Sequence, residues 1–180
     1  MEKYIEISDS DLLIFDADSA IANGYPCETV EAIKQHISNM NLLVELGYAY
    51  IDQSFSAVIQ LPATNKKHSG IPLFRSSARG ESKVVTHWYG LTEIYMNSDE
   101  AQDLINALSA AGDGSTVASL LSFLPGGLGT ILGSISTISG VQITLYRWQI
   151  EQAAAPGRGI IMNVQYNFTT NDQSIWFVSQ

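Results

Sequence analysis

From Gly114 through Tyr146 the chain carries no Asp, Glu, Lys, Arg or His. In a protein with 15% charged residues, that stretch limits the possible folds more than any other feature. A helix with one face in water normally carries charge there, so a run of this length needs shielding on both faces. The interior of a protein provides such shielding, and so does the interior of a bilayer. Ser, Thr and Gly are frequent in the run and Pro125 interrupts it. No part of it reaches the roughly 18 to 20 predominantly apolar residues of an ordinary membrane span. The pattern predicts a helical hairpin: one helix starting at Ser115 or Thr116, a break at Pro125-Gly126-Gly127, and a second helix from about Leu128 to Ala154. The later part of that second helix is rich in β-branched residues and is ambiguous with strand.

Within the hairpin, Leu128, Gly129, Ile131, Leu132, Gly133, Ile135 and Ile138 form the expected contact surface toward a membrane or an oligomer partner. Gly129 and Gly133 fit the small-xxx-small spacing that lets two helices approach closely. Three readings stay open: a hairpin buried as the core of a soluble domain, a hairpin that enters lipid, and a self-assembly surface.

The flanks are β-rich, which makes the expected class α+β, with strands on either side of a central uncharged helical hairpin. In the first part, Tyr4–Glu6 and Leu12–Phe15 read as short strands and Glu28–Leu46 as a helix stopped by Gly47. Phe55 to Leu61 reads as a strand with one buried face, ended by Pro62. The second part opens with a strand signal over Val84–Met96. A helix capped at Asn97 or Ser98 follows, with Asp99, Glu100 and Asp103 near its positive end and Leu104, Ile105 and Leu108 as its apolar stripe. After a turn at Pro156-Gly157-Arg158-Gly159, Ile160–Phe168 and Ser174–Ser179 form a closing strand pair. A polar stretch at about 62–83 separates an N-terminal part, 1–83, from a C-terminal part, 84–180, with one shared core as the alternative.

Eighteen acidic against nine basic residues give a net charge of −9. Phosphate binding needs clustered Lys and Arg, so nucleic acid is excluded as an expected partner. Cys27 is the only cysteine and no intrachain disulfide can form. Met1 to Glu6 has neither a basic n-region nor an apolar core, so cytoplasmic synthesis without a standard signal peptide is the expectation.

Several motifs suggest chemistry and fall short of it. Leu12-Leu13-Ile14-Phe15-Asp16-Ala17-Asp18 resembles the first motif of haloacid-dehalogenase phosphatases, but no later apolar strand ends in the two acids that would hold magnesium, and the Thr and Gly usual near the second Asp are replaced. Asp16 and Asp18 fit an Asx-type turn at a strand end better. His36, His68 and His87 lie far apart with no local metal-ligand spacing. No GxSxG elbow accompanies the many serines. Trp88, Tyr89, Tyr95, Tyr146 and Trp148 suit core packing more than sugar stacking. No catalytic residue, cofactor or metal is expected.

Residues 84–180 resemble, in layout, uncharacterised bacteriocin-like small proteins of Gram-positive bacteria. The shared features are the step Trp88-Tyr89-Gly90, the capped helix at Asn97-Ser98 and the uncharged stretch Ser115–Gly140. Gly157-Arg158-Gly159-Ile160-Ile161 and a last strand ending at Gln180 complete the pattern. The resemblance implies a toxin-like, membrane-active role without catalysis. The alternative is a structural or self-assembling protein that uses the hairpin as core or oligomer interface. Expected partners are a second copy of the chain and a lipid bilayer.

Overall fold

The structure, a computed structural model, describes residues 1–61, 79–111, 139–154 and 158–180. The fold is α+β with antiparallel sheets. The predicted hairpin falls largely outside the described residues, as do His68 and most of the polar stretch at about 62–83.

The chain divides into two compact units. The first comprises Met1–Gln60, Lys83–Ile94 and Asn163–Ile175, and the second Leu61–Ser82, Tyr95–Met162 and Trp176–Gln180. Eight strands are described: β1 (Ile5–Ile7), β2 (Leu13–Phe15), β3 (Tyr50–Ile51), β4 (Ser56–Gln60), β5 (Lys83–His87), β6 (Leu91–Met96), β7 (Ile160–Asn167) and β8 (Asp172–Ser179). The helices are α1 (Ala17–Ala22), α2 (Cys27–Glu45), α3 (Ser98–Ala110) and α4 (Gly140–Ala154). β1 and β2 form a small sheet, and β3 to β8 a six-stranded sheet in sequence order.

In the first unit, α2 lays Val30, Ile33, Ile37, Met40 and Leu43 inward at helical spacing, as its sequence predicts. Ile33, Ile37 and Met40 pack with Ile5, Leu13 and Ala57, and Trp88 and Phe168 close over this cluster. Asn41 fixes β2 to α2 by a two-way amide contact with the Leu13 backbone, at 2.8 and 2.9 Å. Gly47, at φ +76°, ends α2 where its sequence marks a stop.

Two strand expectations change. The segment Val84–Met96 is two strands joined at Trp88-Tyr89-Gly90, because Gly90 adopts φ +89° and its N–H closes onto the His87 carbonyl at 3.0 Å. β4 is buried on both faces over Ser56–Ile59, not on one. It lies between β3 and β5, and the polar Ser56 is tolerated there because it has hydrogen-bond partners.

In the second unit, Asn97 and Glu100 form a reciprocal capping box at the start of α3, whose Ala101, Leu104 and Leu108 are buried. α4 packs against α3. Its existence resolves the ambiguous end of the charge-free run as helix.

Candidate functional site

Leu128, Gly129, Ile131, Leu132, Gly133, Ile135 and Ile138 all lie outside the described residues. The described continuation of their segment is α4, which is free of charge through Tyr146. Ser139 and Gln142 start this helix. The Ser139 hydroxyl accepts from the Gln142 N–H at 3.3 Å, and the Gln142 side-chain oxygen accepts from the Ser139 N–H at 2.9 Å. That is an uncharged capping box, a start signal in keeping with the rest of the run.

α4 is apolar on two faces. Ile143, Tyr146 and Ile150, three and four residues apart, point inward. Tyr146 meets Phe177 edge-on at 5.6 Å, and burial raises the pKa of its phenol. On the opposite side Val141, Leu145 and Trp148 follow the same spacing but are 82%, 47% and 59% exposed. The first charge, Arg147, stands beside Trp148 and pairs with Glu151 at 3.9 Å. Scattered apolar residues on a surface need no explanation, whereas an aligned row on an element already apolar on its inner side points to a contact surface. Chemically, the row offers hydrophobic area and one indole, with no charge among the three.

A second cluster, in the first unit, is polar. Register places Ser56 of β4 opposite His87 of β5. The Ser56 hydroxyl meets His87 Nδ1 at 2.8 Å, and His87 Nε2 meets the Glu93 carboxylate at 3.1 Å. Tyr89 stacks on the imidazole at 5.0 Å between centroids. His36 of α2 donates from Nε2 to the His87 main-chain carbonyl at 2.9 Å. With the Nε2 proton given to Glu93, His87 Nδ1 accepts the Ser56 proton. This is the hydrogen-bond order of a nucleophile relay. Ser56, however, has no solvent exposure at all, so no substrate atom reaches its oxygen. The cluster joins α2, β4, β5 and β6 and does not present a nucleophile.

The two histidines that sequence separates by 51 positions thus share one site. Among the described residues no group of His, Cys, Asp or Glu has metal-ligand geometry. Asp16 is the N-cap of α1, accepting from the Ser19 N–H at 3.0 Å, and the contacts with Ser19 lower the pKa of its carboxyl. Asp18 is exposed in the first turn of the same short helix. Trp88 is packed against the first unit's core. No protein-family model, curated protein or solved structure matches this chain.

Proposed function

We propose that the protein is non-catalytic and toxin-like, acting on membranes through the uncharged helical hairpin of which α4 is the last part. The exposed row Val141–Leu145–Trp148 carries this reading. Val141 and Leu145 bring the charge-free run onto a folded surface and Trp148 follows just past its end; a tryptophan beside aliphatic side chains is the composition that settles at a lipid interface. Among the described residues no helix is long and apolar enough to cross a membrane. The role given to α4 is therefore seating at the interface. Any deeper insertion belongs to the hairpin residues that precede it. With a net charge of −9, attraction to anionic lipid contributes little, and burial of apolar area is the driving force.

The double variant Leu145→Glu/Trp148→Glu tests the proposal in a dye-leakage assay with zwitterionic vesicles. Both side chains already face outward, so thermal stability should stay within about 0.5 kcal/mol of the parent. Leakage should fall by at least tenfold. Unchanged leakage with an intact fold would remove α4 from the mechanism.

Self-association is the second reading. Trp176 and Val178 are half-exposed on β8, which ends the six-stranded sheet and contains neither Lys nor Pro to guard its edge. Sedimentation of the parent without lipid distinguishes the two: a stable oligomer that Trp176→Lys on β8 abolishes, and that the α4 double variant leaves intact, favours assembly.

A further inference from the structure

We propose that the first unit carries an acid-released latch, in which His36 holds α2 to the β5–β6 turn at neutral pH and gives way when its imidazole takes a second proton. The two imidazoles in the cluster differ in what surrounds them. His87 has a partner on each nitrogen, the Ser56 hydroxyl and the Glu93 carboxylate. Ser56 accommodates either state, because its oxygen accepts from a protonated Nδ1 while its proton turns to the Ser54 carbonyl at 3.4 Å. Among the described residues His36 has one hydrogen bond, from Nε2 to the His87 carbonyl, and its ring lies against Phe168 at 5.4 Å between centroids.

Among the described residues nothing around His36 compensates a positive charge. One turn away on α2 stand Ala32, Ile33, Asn39 and Met40, all uncharged. Lys34 and Glu31 of the same helix pair with each other where they are exposed. On the hairpin, Glu93 is engaged by the His87 ring. In the β3–β4 turn, Asp52 accepts from the N–H groups of Ser54 and Ser56. Asp172, at the head of β8, is exposed. Burial lowers the proton affinity of His36 first and most; the His87 carbonyl raises it, to a smaller extent, and no charged group adds to either. A folded-state pKa below the unfolded one means that the folded form binds fewer protons. Stability from this source is therefore complete above the free-imidazole value of about 6.5. It declines as pH falls from there to the pKa of His36 itself, and is level below that. What opens is the seam between α2 and the Trp88–Gly90 turn, which covers Ile33, Ile37, Met40 and Phe168. The inference is independent of any action on membranes.

Two readouts on the full chain test it. Histidine ring signals followed by NMR from pH 8 to 4.5 should show His36 titrating below about 6.5. Amide-exchange protection of α2, corrected for intrinsic rates, should fall by about tenfold per pH unit below that value and flatten at the His36 midpoint. His36→Gln keeps an N–H donor without a titrating ring, and its α2 protection should not follow that slope. A His36 midpoint at or above the free-imidazole value overturns the latch. So does α2 protection in the parent that stays constant through the His36 titration, a measurement that stands even if the variant fails to fold.

Discussion

Gly90 and Gly47 both have left-handed backbones, at φ +89° and +76°, but different surroundings. A Cβ at Gly47 would meet nothing within 4 Å, whereas at Gly90 it would press on the Tyr166 carbonyl and lie 3.0 Å from the Phe168 ring. Gly47→Ala should therefore cost only the conformational penalty, about 1 to 2 kcal/mol. Gly90→Ala adds a clash with backbone and should cost distinctly more, about 3 kcal/mol or above. Urea denaturation of the two variants measures the difference, and equal losses would mean the Gly90 turn relaxes freely. Both glycines are visible in the sequence, yet only Gly47 reads as a stop. Gly90 is flanked by Trp, Tyr, Leu and Thr, all strand formers, and this hides a turn inside a single strand signal. The polar cluster is less legible still. His36, Ser56, His87 and Glu93 are ordinary residues in sequence, and only the β4–β5 register and the packing of α2 bring them together. Gln180 is a similar case. Its amide accepts from the Glu81 N–H at 2.7 Å and donates to the carbonyls of Glu81, Met96 and Ile160 at 3.0 to 3.1 Å. A polar residue closing a strand gives no sign of that.

Among the elements, α2 is the most legible, because its five buried positions repeat at helical spacing between a proline and a glycine. The start of α3 was legible as a cap, but the depth of its acid was not. Glu100 is 2% exposed, and one carboxylate oxygen accepts both the Asn97 N–H at 2.9 Å and the Ser82 hydroxyl. The other oxygen is buried without a partner among the described residues. Removing the side chain strands two donors that the carboxylate now satisfies, so Glu100→Ala should lower stability by about 1 to 3 kcal/mol. The exposed Asp99, next to it in sequence, should tolerate alanine within about 0.5 kcal/mol. Thermal melts of the two variants side by side provide the check; a harmless Glu100→Ala would mean that water replaces the carboxylate. β4 shows why alternation alone misleads. Its Ser56 and Gln60 mimic a solvent face, but Ser56 is buried with its hydroxyl on His87, and Gln60 is the only exposed residue of the strand.

At the scale of the molecule, charge is segregated along the chain. Residues 1–86 hold eleven acidic and seven basic side chains, and 87–180 hold seven and two. The run from Gly114 to Tyr146 holds none, and where the structure describes its end, a helix with apolar residues on both sides emerges. The inner side is accounted for by Ile143, Tyr146 and Ile150. Among the described residues the outer side is not, and on this the membrane reading depends. The sequence made the missing charge plain but not which side chains face outward, because that depends on how α4 packs against α3. The most direct test is the fluorescence of Trp148, the most exposed of the three tryptophans, with vesicles whose acyl chains carry bromine. Subtracting the spectrum of Trp148→Phe from that of the parent isolates its emission. We expect that difference spectrum to shift to the blue and be quenched when vesicles are added, as the indole leaves water for the acyl boundary. A Trp148 emission that stays at its aqueous position and escapes quenching, while the vesicles leak, would contradict the role given to this helix.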